Sequence, residues 1–333
     1  MNQDTTPEKK FGAERPIIHI DWQGHKFVAV GNELHGSKSW KTFPDFLKYY
    51  IQFVLGAAWG QAELAKPFEE RHEILKWYGR MCRFQQKQER QEDGLFEAVP
   101  NGAMKAYLLL AYDLYMLRHN SSLQQTLIER IKLKDQFQGA RYELFAAATC
   151  IRAGCDIAYE DETDPTTKHT EFVATDKSTG QRISIEAKSR HRPGILGHPG
   201  GSRPEEEVRV RVTGLLNAAL DKPAPHPYVI FIDLNLPPSP EPPFEKPWFP
   251  KILDGVNRAA GAGDEPDPFN LILFTNHPYH YGENDQPAPE ASIHVVLARN
   301  PRLKCGHSRV LSAMVDAARA FGEIPNEFGE EGS

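Results

Sequence analysis

Apolar and polar positions change their period along this chain, and the changes predict its elements. Two short apolar runs, 16–21 and 26–30, flank Trp22-Gln-Gly24-His25 and predict a β-hairpin turning near Gly24. The period then becomes helical. Thr42 stands as an N-cap ahead of Pro44, and Phe46, Leu47, Tyr50, Ile51, Val54 and Leu55 carry a helix to Gly60. Further helices are predicted from near Pro67, over 102–117 and from Ser121. Residues 1–135 therefore read as an N-terminal β-hairpin plus helical region, suited to binding, dimerisation or support.

From Gln136 the pattern alternates. A helix over 136–153 ends at Gly154, which serves as its C′ residue. Strand-like runs follow at 155–159, 169–175 and 182–188, the last two joined by the turn-forming Asp176-Lys-Ser-Thr-Gly180. A helix over 204–220 leads to 228–234, an almost wholly apolar run of the kind a buried parallel strand shows. A helix over 250–260, strands over 271–275 and 292–298, and a helix capped by Ser308 complete the order. Strands interleaved with helices in this way predict an α/β fold with a mixed sheet flanked by helices over 136–325. Between residues 236 and 250, seven of fifteen residues are proline, so that segment is expected to be a stiff, extended crossover.

Composition narrows the class. Hydrophobic residues make up 40% of the 333, enough for a packed core, which excludes wholesale disorder. The most apolar stretch, 106–112, is far shorter than the ~20 residues of a membrane span, so no membrane is expected. The polar N-terminus lacks the apolar core of a secretion signal. Four cysteines without a CxxC pair read as reduced thiols of a cytoplasmic protein. With a net charge of −6, any contact with nucleic acid must come from a local basic patch.

One strand carries the candidate chemistry. In Ile183-Ser-Ile185-Glu-Ala-Lys188 side chains alternate, so Glu186 and Lys188 share a face, their Cα atoms ~6.5 Å apart. The strand before it begins His169-Thr-Glu171, and the preceding helix carries Glu143. A helix, a short strand, a carboxylate-bearing strand, a turn and a strand bearing Glu-x-Lys together resemble the PD-(D/E)xK nuclease superfamily, the restriction-endonuclease-like fold. The resemblance covers about 136–235 and extends at most to 298. It implies a catalytic set of Glu143, Glu171, Glu186 and Lys188, with Glu171 and Glu186 as ligands for Mg²⁺ and Mn²⁺ as a substitute. The three acidic or basic groups of the two strands are expected to converge at a sheet edge. Two departures stand out: Glu171 replaces the family's Asp, and Thr170 replaces the proline before it.

The stretch after Lys188 is basic. Between 188 and 211 six Lys or Arg face three Glu, and Arg190, His191, Arg192, Arg209 and Arg211 are candidate phosphate contacts. The other reading is a solvated loop whose arginines pair with Glu205, Glu206 and Glu207. The resemblance implies an Mg²⁺-dependent phosphodiesterase cleaving nucleic acid, with DNA the expected substrate. The alternative is a catalytically inactive nuclease-fold module that binds nucleic acid or a protein partner. The N-terminal region is the expected seat of a homodimer or protein contact.

Overall fold

The chain begins with three antiparallel strands, β1 (Ile18–Trp22), β2 (His25–Val30) and β3 (Glu33–Ser37), in that order. Gln23 and Gly24, at φ 50° and 72°, form the tight turn between the first two, with Trp22 opposite His25. β3 was not expected from the sequence, because Glu33-Leu-His-Gly-Ser has a single apolar side chain. It is held by its register with β2, where Val28 faces His35. The computed structural model describes residues 15–92, 94–159, 169–201, 212–261, 264–282 and 286–329.

Five helices follow: α1 (Phe43–Leu55), α2 (Ala57–Leu64), α3 (Glu73–Gln86), α4 (Gly102–Asn120) and α5 (Gln125–Lys132). Thr42 caps α1 as expected. Its hydroxyl accepts from the Asp45 amide at 3.3 Å, while the Asp45 carboxylate accepts from the Thr42 amide at 3.0 Å. The helix does not reach Gly60. Gly56 adopts φ 87°, ends α1 and restarts the chain as α2. Phe43, Phe46 and Tyr50 of α1 pack with Tyr115 of α4 in edge-on aromatic contacts, all of them buried.

The second part is built on a six-stranded sheet in simple sequential order: β4 (Cys155–Tyr159), β5 (Phe172–Asp176), β6 (Arg182–Ser189), β7 (Tyr228–Asp233), β8 (Leu271–Asn276) and β9 (Ser292–Leu297). β4, β5 and β6 form an antiparallel meander; β6, β7 and β8 run parallel; β9 returns antiparallel. This is the mixed sheet the alternating pattern predicts.

Helix α6 (Phe137–Arg152) precedes the meander, α7 (Val212–Leu220) joins β6 to β7, and α8 (Phe249–Ala259) joins β7 to β8. From α6, Tyr142 bonds Thr275 at 2.8 Å and Phe145 meets Phe231, so this helix covers one face. Val212, Leu216 and Ile252 from α7 and α8 pack on Ile230, Ile232 and Phe274 on the other. Both faces are thus closed, which is why β7 and β8 are buried at every position and apolar up to their C-terminal ends. The proline-rich 236–248 forms neither helix nor strand, and Lys246 ties it by donating to the Ser239 and Glu241 carbonyls at 2.7 Å each. Helix α9 (Arg309–Arg319) ends the order, but Ser308 sits in helical geometry and makes no side-chain cap.

Contacts divide the chain into two compact units. One holds Gln138–Pro278 and Glu290–Phe321; the other holds Arg15–Phe137, Tyr279–Pro289 and the residues from 322. Within the expected second domain, 136–325, residues 136–137, Tyr279–Pro289 and 322–325 fall with the helical unit. No helix among the described residues is long and apolar enough to cross a membrane.

Candidate active site

The site grows from the pleat of β6. Ile183, Ile185 and Ala187 turn to the α6 face and are buried. Ser184, Glu186 and Lys188 turn to the other face, in register with Tyr228, Ile230 and Ile232 of β7. Glu171 lies one residue before β5. Its amide donates to the Ile185 carbonyl at 3.0 Å, and Phe172 is opposite Ile185, so continuing the register sets Glu171 directly across from Glu186. The two carboxylates share a face, as the Glu-x-Lys reading requires.

A short turn holds that register. The Asp176 carboxylate accepts from the Ser178 amide at 3.0 Å and from the Ser178 hydroxyl at 2.9 Å, and the Gly180 amide donates to the Asp176 carbonyl at 2.8 Å. Gly180 itself takes φ 71°, in the left-handed region.

Two lysines close the site. Lys188 pairs with Glu186 and lies 3.8 Å from Glu171. Lys222, two residues beyond α7, reaches Glu171 at 3.1 Å and Glu186 at 2.8 Å. The sequence reading missed Lys222; its only signal is its place in the loop that delivers β7 beside β6. Glu186 is 0% exposed, whereas Glu171, Lys188 and Lys222 keep 17%, 22% and 21%. The centre lies on the sheet face over β5 and β6, not at a sheet edge, because β4 flanks β5.

Burial raises the Glu186 carboxyl to about 7, the neighbouring Glu171 charge adds to this, and the two lysines oppose it. Neither Glu186 oxygen accepts a hydrogen bond of regular geometry, so the lysines meet it as ion pairs. Burial pulls the Lys222 ammonium down, but Glu171 and Glu186 outweigh it and its proton is held more tightly than usual. Tyr228 borders the same face; burial and both carboxylates keep it a neutral phenol, and it donates to the Ala219 carbonyl at 2.8 Å.

Glu143 sits on α6, whose neighbouring residues Arg141, Tyr142 and Phe145 address the opposite sheet face. Among the described residues no three acidic, histidine or cysteine side chains group to hold a metal, so Glu143 does not join Glu171 and Glu186. The basic loop is also rearranged relative to expectation. Arg192 is 7% exposed and donates to the Asn235 carbonyl at 3.3 Å, while its own amide donates to Gln138 at 2.8 Å. It pins the loop inward, which removes it from the phosphate contacts. Arg190 is half-buried, His191 is exposed with its ring 5.6 Å from His198, and Arg209 and Arg211 lie outside the described residues.

The sequence reading also passed over Asp233, at the end of β7. It is buried, pairs with Arg141 at 3.0 Å, and accepts from the Ser189 hydroxyl at 3.0 Å and the Asn235 amide at 3.1 Å. Burial raises its carboxyl, against Arg141 and those hydrogen bonds.

The residues present fit a hard divalent cation. Two carboxylates oppose each other, and the buried one, Glu186, meets the two lysines only as ion pairs, which leaves its oxygen lone pairs open to a metal in their place. Glu171 and Glu186 would hold such an ion. No protein-family model, no curated protein and no solved structure matches the chain.

Proposed function

We propose that the chain is an Mg²⁺-dependent phosphodiesterase of restriction-endonuclease-like fold that cleaves nucleic acid, with DNA as the first substrate to test. One observation carries the reading: Glu171 and Glu186 oppose each other across adjacent strands, with Lys188 on the same face. The order α6, β4, β5, β6, α7, β7, in which an antiparallel meander is followed by a parallel strand through a helix, supports it. Bound Mg²⁺ would offset charge on the scissile phosphate and acidify an attacking water.

The protein's own groups do the rest. Glu186 must be ionised to serve as a ligand, and its raised pKa places that ionisation near neutrality. Lys222 offsets the charge of both carboxylates, so an arriving cation competes with it. Lys188, with part of its side chain still exposed, orients the nucleophilic water and offsets charge on the phosphate.

A second reading has its own observation. Two lysines already neutralise two carboxylates, and Glu186 has no exposure, which suits a charge-complete network in a module that binds nucleic acid or a protein partner without cutting. Calorimetry with Mn²⁺ and cleavage of plasmid, linear duplex, single-stranded DNA and RNA separate the two. The phosphodiesterase binds metal and cuts at least one substrate, and chelation stops it. A chain that binds no Mn²⁺ and cuts none of them is the inactive module.

A further inference from the structure

A cavity of about 400 Å³ opens in the helical unit, between the end of α1, α2, α3 and Tyr107 of α4. Gly56, the break between α1 and α2 at φ 87°, lines it. Gly60 of α2 lies in its wall, and a Cβ placed there meets no atom within 4 Å. The wall is apolar, with Phe53, Trp59, Leu64, Ile74 and Leu75, and no Asp, Glu, Lys, Arg or His lines it. Phe53 and Leu64 stand at the mouth 47% and 41% exposed, an apolar rim left against water. The cavity's polar groups are the Gln52 and Gln61 amides and the Tyr49, Tyr78 and Tyr107 hydroxyls; the Tyr78 and Tyr107 rings lie 5.7 Å apart, with Gln52 beside both.

We propose that this cavity binds a small, uncharged, mainly aromatic molecule whose single hydrogen-bonding group meets Tyr78, Tyr107 and Gln52. The volume suits roughly twenty non-hydrogen atoms at protein packing density. A charged ligand would lose its hydration with no counter-ion in the wall, so the occupant is neutral. The rings of Tyr49, Phe53, Trp59 and Tyr78 favour an aromatic body, which packs edge-on or offset against them. The site is independent of Glu171 and Glu186 and does not rest on the phosphodiesterase reading.

The test uses the full chain and two dyes with the same rings: neutral N-phenyl-1-naphthylamine and its anionic sulfonate, 8-anilinonaphthalene-1-sulfonate. The neutral dye should bind saturably, with blue-shifted fluorescence and a Kd below about 100 µM. The sulfonate should bind at least about tenfold more weakly. Gly60→Phe fills the cavity and should abolish binding, whereas Ala58→Phe, exposed on the same helix and outside the lining, should leave it intact. If circular dichroism shows Gly60→Phe unfolded, Gly60→Leu replaces it, since glycine is the weaker helix former. Unsaturable binding, equal binding of both dyes, or binding that survives the filled cavity overturns the proposal. So does a wild-type dimer that Gly60→Phe dissociates in sedimentation, which would assign the cavity to a second copy.

Discussion

At the scale of single residues, Glu186 carries the proposed chemistry. Its folded pKa of about 7 lies above the ordinary 4.5, so folding favours the protonated carboxyl. By linkage, the contribution of this carboxyl to stability is highest below about 4.5, falls as pH rises towards 7, and levels off above that. Glu186→Gln imitates the neutral form. In metal-free buffer it should stabilise the protein at pH 8 by on the order of 1–3 kcal/mol and give no gain at pH 4.5. Thermal melts at the two pH values check this, and equal effects at both would refute it.

The lysines divide the work. Lys188→Ala should bind Mn²⁺ at least as well as wild type but cleave ~10²–10⁴-fold more slowly. Lys222→Gln removes a cation from the proposed metal seat. At pH 9, where Glu186 is ionised, its Mn²⁺ affinity should rise about tenfold by calorimetry. Weaker binding would show that Lys222 supports the carboxylates instead of competing for them. The alternation of β6 made Glu186 and Lys188 readable as a pair, and spacing placed Glu171 before the adjoining strand. Lys222 was invisible because only the excursion through α7 brings it back. The full burial of Glu186 depends on packing that no local pattern encodes.

At the scale of elements, legibility followed how many faces a segment buries. β7 reads as a strand because six consecutive residues are buried, and α6 announces its end through Gly154 at φ 84°. β3 was missed because cross-strand pairing holds it. Thr42 ahead of Pro44 was a readable start signal, and Thr42→Ala should cost about 1 kcal/mol in denaturant unfolding without changing Mn²⁺ affinity. The inward turn of Arg192 was not readable, since Gln138 and Asn235, its anchors, lie far off in sequence. Arg192→Ala should therefore lower the melting temperature while leaving the salt dependence of nucleic-acid binding unchanged. A shallower salt slope would return Arg192 to the phosphate contacts.

At the scale of the whole molecule, the units are assembled from discontinuous chain. The helical unit takes back Tyr279–Pro289 and the residues from 322, which no composition shift marks. The switch from helical to alternating periodicity near 136 was legible; the two returns were not, because they are short and carry no period of their own.

The Asp176 turn has a wider consequence. Because it fixes how β5 lies along β6, it acts as a ruler for a centre built several residues away. A shift of one step would carry Glu171 to the α6 side of the sheet, and two steps would restore its side but set it against Ser184 or Lys188. Length variation in the hairpin would thus leave an intact sheet with a dismantled centre. A lineage could lose its chemistry by miscounting, with every participating side chain still present.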